Sequence, residues 1–539
     1  MIYPNLTAMS EERGQRLLFL LLLGTVLCWL VAFTAVGYPW SMVGLTMTDS
    51  LKYFWMAQGL HSGAVDSLAQ HGQTILSETR FPPGYPLFLS LFGPDPSPAG
   101  MRAANFGQWL TVLLALATSW RFYRQSLGAG AAAIAAFAFT LAMPWVYPWS
   151  FDLISEPLFV ALLLTICVLA EQRPSARSSY FMCLLFGALC LTRSIGYPLL
   201  LVLAYWLWNG SRSIPRVLAG MAIAMGPIVA WKIFQWTQGR AGADSYLLWL
   251  LWELRGLANN PWDILWPQWS KFAAAFTPMG WHQGVRIALG SALLICALIQ
   301  IAPRARKKDS TALIAATLFL VLLSWPYPLH FDRLVAPLAP FILSYALLPF
   351  AASCRASQPP SAQSPVAAAS AGKAIAAVVL AVAALATTWG LAIAPMVASS
   401  RAQLPEFERS FLRSTLATMN TEQAPKTIER LARTLDVASQ LDTLVPPGEC
   451  IYTTSPDFIA LRSTRKLIDS PVPFNWSRGP CKYALAISIW DGSHVGGPGY
   501  PMQQGGLSYR MVAQWKLPSD TDAIGTLMRQ PAAEPGKAD

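Results

Sequence analysis

Apolar stretches of about 20 residues recur along this chain, and no other feature constrains its fold as much. They fall near 17–37, 101–123, 128–147, 153–171, 180–192, 194–208, 217–236, 284–302, 311–329, 334–350 and 373–396. The fifth and sixth are short and are divided at Arg193. Only 12% of the 539 residues are charged, against about 25% in a soluble domain. The pattern predicts an all-α polytopic membrane protein with about 11 transmembrane helices. It excludes a secreted enzyme, a disordered chain and a soluble nucleic-acid binder. The net charge of +11 needs no nucleic acid to explain it, because the basic residues sit in short loops between apolar stretches.

Those loops set the expected orientation. Arg13, Arg16, Arg121, Arg124, Arg173, Arg177, Arg212 and Arg216, then the run from Arg304 to Lys308, fall on alternate loops. The positive-inside rule makes their side cytoplasmic. Merging the fifth and sixth stretches would turn the later basic loops outward, so the two are kept apart. The first stretch is longer than the roughly 7–15-residue apolar core of a signal peptide and reads as retained. The N-terminus is then expected inside and the C-terminus outside.

Three segments do not read as membrane. Residues 38–100 form a first outer loop, and 237–283 a second, rich in Trp and expected to lie along the membrane surface. Residues 397–539 have soluble composition and follow a transmembrane module of residues 1–396. This tail reads as a small α/β domain, with a helix over 405–442 and strands at 449–454, 482–489 and 508–515. It holds Cys450 and Cys481 alone among the eight cysteines. In an oxidising compartment these read as a disulfide, the alternative being two buried thiols. Asp520-Thr521-Asp522 precedes an apolar run and reads as a helix cap rather than a metal site. The histidines lack zinc-ligand spacing, and no nucleotide-binding fingerprint occurs.

Ionisable residues are sparse in the spans and gather at their outer ends. The first outer loop carries Thr48-Asp49-Ser50-Leu51-Lys52-Tyr53, with Ala57, Leu60 and Gly63 beyond it. This reads as a short surface helix capped by Asp49, and by itself Asp49 is no more than a cap. Arg80-Phe81-Pro82-Pro83-Gly84-Tyr85-Pro86 follows. Ser155-Glu156-Pro157 opens the fourth span, with Asp152 one turn before Glu156 on the same face. A carboxylate there also suits the helix dipole with no further role. Leu191-Thr192-Arg193-Ser194-Ile195-Gly196 divides the fifth and sixth spans, and Asp332-Arg333-Leu334-Val335-Ala336-Pro337 opens the tenth.

In their order and their common side, these motifs resemble the GT-C superfamily of polyprenyl-phosphate-sugar-dependent glycosyltransferases. The nearest pattern is the branch of lipid A aminoarabinose transferases and protein O-mannosyltransferases. The resemblance covers most of the chain and implies a GT-C-like fold with a periplasmic C-terminal domain. It implies an inverting transfer of a sugar from a polyprenyl phosphate, undecaprenyl phosphate being the expected carrier, to a glycan, lipid or protein acceptor. No cofactor is obligatory, with a divalent metal left open. Asp49 is implied as the catalytic base, although many members carry a second acid beside it where this chain has Ser50. Asp152 and Glu156 are candidate supporting acids. Arg80, Arg193 and Arg333 are candidates to hold the departing phosphate, the alternative being arginines that snorkel or pair within loops. Lys52, Tyr53, Tyr85 and His330 are candidate substrate contacts. The implied place is the bacterial inner membrane with a periplasmic site. A transporter or flippase, or a surface-polysaccharide ligase or polymerase, is the alternative reading; the near absence of charge within the spans weighs against a transporter.

Overall fold

The computed structural model describes residues 23, 48–62, 82–95, 98–128, 131–143, 146, 153–171, 176–237, 261–277, 281–323, 331–356, 424–453, 459–460, 462–469, 481–487, 510–516 and 523–529. The expected spans at 17–37 and 373–396 lie outside this set, apart from the single residue 23. The chain divides into two compact units. The first comprises Met1–Tyr38, Ser77–Phe88 and Phe106–Val397, and the second Pro39–Leu76, Leu89–Asn105 and Ala398–Asp539.

The first unit is helical. Its described elements are α2 (Gly84–Ser90), α3 (Pro98–Leu127), α4 (Ala131–Leu141), α5 (Glu156–Glu171), α6 (Ala176–Thr192), α7 (Leu199–Ser211) and α8 (Ile214–Thr237). Then come α9 (Pro261–Ala274), α10 (Gln283–Arg306), α11 (Ser310–Leu323), the single turn α12 (Phe331–Leu334) and α13 (Ala339–Ala356). The last residues of α2 and the start of α3 fall in the second unit. Helix α6 packs between α5 and α8, and α10 packs against α9, α11 and α13.

Among the described residues, two helices are long and apolar enough to cross a membrane, over Ile214–Phe234 and Gln283–Arg306. Shorter apolar helices lie at Ala132–Leu141, Ser179–Thr192, Ser310–Leu323 and Ala339–Ala352. The expected count of spans is therefore not reproduced within the described residues. On α8 and α10, large apolar side chains point away from the protein: Leu218, Ile233, Trp236, Val285 and Ile299 are all more than half exposed. Burial inside a soluble core does not account for such helices, and lipid is the solvent that suits them.

The break expected between the fifth and sixth stretches is present. Helix α6 ends at Thr192, a 3-10 turn occupies Ser194–Gly196, and α7 begins at Leu199. The expected second loop, residues 237–283, contains α9, a helix whose Trp266 is 62% exposed.

The second unit contains α1 (Thr48–Ser62), α14 (Ala424–Leu444) and a five-stranded sheet. The strands are β1 (Cys450–Thr453), β2 (Lys466–Asp469), β3 (Tyr483–Ile487), β4 (Arg510–Lys516) and β5 (Ala523–Arg529), in the order β2-β1-β3-β5-β4. Strand β1 pairs in parallel with β2 and β3, while β5 runs antiparallel to β3 and β4. Helix α14 packs on β5, and Trp515 Nε1 donates to Gln440 Oε1 at 2.9 Å. Cys450 and Cys481 are bonded, with Cα atoms 4.9 Å apart; the bridge ties the start of β1 to the residues just before β3.

Two expectations are corrected here. The apolar run after Asp520-Thr521-Asp522 is the strand β5, not the helix that a cap there would start; the three residues themselves lie outside the described residues. Helix α1 is not a surface helix: Phe54, Trp55, Met56 and Ala57 have no exposed surface, as suits a segment apolar on most faces. Asp49 lies inside its first turn rather than at a cap.

Candidate active site

Three of the sequence-predicted residues meet in the first unit. Glu156 is the first residue of α5, where a carboxylate is favoured by the helix dipole. Pro157 follows it, its missing N–H costing nothing in the first turn. The helix ladder begins one residue earlier, Phe159 N donating to Ser155 O at 3.0 Å. Glu156 is 1% exposed.

Arg193 sits at the break between α6 and α7. Its backbone is extended (φ −152°, ψ 140°), the amide donating back to Leu189 O at 3.1 Å and the carbonyl accepting from Gly196 N at 3.0 Å. Thus both sides of the break stay hydrogen-bonded while the side chain leaves the helix line. Its Nη1 pairs with Glu156 Oε1 and donates to Ser155 Oγ at 3.3 Å.

Arg333 belongs to α12 and is 8% exposed. The turns after it pack tightly, Ala336 N donating to Arg333 O at 3.2 Å and Val335, Ala336 and Leu338 being wholly buried. Its Nε lies 2.7 Å from Glu156 Oε1. Two guanidinium groups from distant motifs therefore converge on one buried carboxylate oxygen. Both approach it as ion pairs, and Glu156 Oε2 accepts no hydrogen bond among the described residues. A guanidinium presents its N–H donors in a planar, rigid fork whose geometry matches the oxygens of an oxyanion. The arrangement suits an oxyanion with several acceptor oxygens, such as a phosphate.

The Pro-Pro-Gly-Tyr-Pro segment packs beside this cluster. Helix α2 begins at Gly84, so close to the end of α6 that a Cβ there would stand 2.7 Å from Leu191 C and 2.9 Å from Thr192 N. Tyr85 has no exposed surface, and its hydroxyl donates to Gln108 Oε1 at 2.5 Å. Thr111 Oγ1 in turn donates to Gln108 O at 2.7 Å. Tyr85 is thus held in the protein interior beside α3.

The remaining predicted residues are not brought to the cluster by what is described. Arg80, Asp152 and His330 lie outside the described residues, and Asp49 lies in α1 with its side chain outside them. Lys52 is half-buried and Tyr53 buried, both on α1 in the second unit. Among the described residues, no three His, Cys, Asp or Glu side chains gather as a metal site. Sequence reasoning passed over Ser155 and Gln108 as individual residues, and saw Gly84 only as part of a Pro-rich motif. Ser155 was visible as the neighbour of Glu156, whereas nothing in the sequence joins Gln108 to Tyr85.

No family model matches the chain, and no curated protein matches it. Among solved structures it is similar to ArnT from Cupriavidus metallidurans in the apo state, with 16% identity over 94% of this chain and 98% of that one, at a TM-score of 0.45. It is similar to the same protein bound to undecaprenyl phosphate, with 16% identity over 95% and 98% and a TM-score of 0.44. A weaker similarity, 11% identity over 76% of this chain and 61% of the other with a TM-score of 0.40, is to an Archaeoglobus fulgidus oligosaccharyltransferase tethered with an acceptor peptide.

Proposed function

We propose that this chain is an integral-membrane glycosyltransferase that moves a sugar from a polyprenyl phosphate to an acceptor hydroxyl. The observation that carries the reading is the convergence of Arg193 and Arg333 on one and the same buried oxygen of Glu156. Two like charges held side by side in an apolar interior need an anion between them. Glu156 supplies one, and a lipid phosphate arriving at the same fork supplies the second.

In the proposed reaction a base takes the acceptor hydroxyl's proton as its oxygen attacks the anomeric carbon. The bond from that carbon to the phosphate oxygen breaks, and its electron pair leaves with the phosphate. Arg193 and Arg333 meet the charge that grows there, which is the role fixed donors fill best. Attack opposite the leaving phosphate inverts the anomeric centre. Asp49 is our proposed base and Asp152 a proposed acceptor-side acid, with Arg80 a further phosphate ligand. Glu156, a candidate supporting acid by sequence, is proposed to act by holding the two guanidinium groups in place. The proposed carrier is undecaprenyl phosphate, the place the bacterial inner membrane with a periplasmic site, and the acceptor a glycan, lipid or protein.

The test is turnover of a polyprenyl-phosphate-linked sugar by the full chain in proteoliposomes. Asp49→Asn is expected to lower the rate by roughly 10²–10⁴, and Arg193→Ala or Arg333→Ala by about 10²–10³. Wild-type rates in all three would overturn the reading, as would transport of the intact lipid-linked sugar without transfer.

A further inference from the structure

The last turn of α6 delivers Arg193 to the cluster, and one glycine decides where that turn lies. A Cβ on Gly84 would stand 2.7 Å from Leu191 C, 2.8 Å from Leu191 O and 2.9 Å from Thr192 N. These neighbours are backbone atoms of the two residues before Arg193, so no side chain can rotate out of the way. Its φ is not in the left-handed region, and Ala is the better helix former. Only space argues for glycine here. Helix α2 is also tied to α3, because the buried Tyr85 hydroxyl donates to Gln108 Oε1 there.

We infer that Gly84 is a positioning residue for Arg193. It lets the start of α2 lie directly on the end of α6, and Tyr85 with Gln108 keeps it there. The guanidinium of Arg193 is thereby set on Glu156, beside Arg333. The inference rests on the proposed phosphate site and adds to it a residue that touches no substrate. An added Cβ must part α2 from α6, and the end of α6 carries Arg193 with it. A fork used for bidentate contact loses its alignment under a shift of a few tenths of an ångström. A simple packing position would lose stability without regard to Arg193.

The test is a set of double-mutant cycles on the full chain in nanodiscs, reading affinity for a polyprenyl monophosphate together with the unfolding midpoint. Gly84→Ala is expected to weaken binding roughly tenfold or more, and to weaken it no further once Arg193→Ala is present. Tyr85→Phe adds no atom, so it carries the same test if Gly84→Ala fails to fold; its effect too is expected to vanish without Arg193. Gly187→Ala is the control, since its Cβ would meet Ala224 O on α8 at 2.8 Å, on the same helix but away from Arg193. It is expected to shift the midpoint and leave the affinity near wild type. Wild-type affinity in both Gly84→Ala and Tyr85→Phe overturns the inference, as do equal losses with and without Arg193. Wild-type affinity in Arg193→Ala itself overturns the phosphate site and this inference together.

Discussion

Arg333 Nε lies 2.7 Å from Glu156 Oε1, the oxygen that Arg193 also approaches. The two residues come from the start of α5 and the short turn α12, and neither is exposed beyond a tenth of its surface. An ion pair so buried contributes little net stability, yet breaking it from one side is costly. Its value is positional: one carboxylate fixes two guanidinium groups.

Glu156→Gln is expected to destabilise the first unit by about 3–5 kcal/mol, because it removes the anion shared by two buried cations. A thermal or denaturant unfolding series in detergent reads this directly. An unchanged midpoint means that the arginines are balanced elsewhere.

Arg333→Lys separates charge from geometry. It keeps the cation and discards the planar fork. Turnover is expected to fall at least about tenfold, with a smaller loss of stability than in Glu156→Gln. Rates equal to wild type show that a point charge suffices at this position.

Much of the first unit was legible because lipid-sized apolar runs leave few folds open. The break at Arg193 was legible because a single charge interrupts two runs that are each too short to span alone. Glu156, Arg193 and Arg333 were legible as separate motifs at the ends of apolar runs. Their convergence on one oxygen was not, since no local pattern encodes which helix ends meet. The burial of α1 was missed because the loop around it is polar and only the helix itself is apolar. In the second unit β2 is four residues long, too short for alternation to show. Strand β5 is hidden in the sequence because Asp520-Thr521-Asp522 before it has the residue types of a helix cap.

Removing the Cys450–Cys481 bridge by a double serine substitution is expected to cost about 3–4 kcal/mol, as the chain-entropy model gives for a loop of this size. The bridge closes a separation of 31 residues. Denaturant unfolding of the full chain with and without reductant measures it, and non-reducing peptide mapping should recover the linked pair. Recovery of both thiols free from the oxidised protein contradicts the bridge.

Asp442 gives the second unit an acid-sensitive joint. Burial pushes its carboxyl up, but hydrogen bonds from Thr464 and Ser463, with the charge of Arg465, outweigh it and hold the group below its ordinary 3.8. Thr464 Oγ1 donates to it at 2.7 Å and Ser463 Oγ at 2.8 Å. A depressed carboxyl adds stability above its unfolded value and loses it as pH falls through the folded one. The α14–β2 joint is therefore expected to loosen below about pH 4. Asp442→Asn should lower stability at neutral pH and flatten that acid slope; a slope identical to wild type rules the joint out.

Binding of a polyprenyl monophosphate to the full chain in nanodiscs tests the central claim most directly, with wild type compared against Arg193→Ala/Arg333→Ala. The account predicts saturable binding by the wild type that weakens as salt rises, and at least about a hundredfold weaker binding in the double variant. Equal affinities in the two proteins, with both folded, would contradict it.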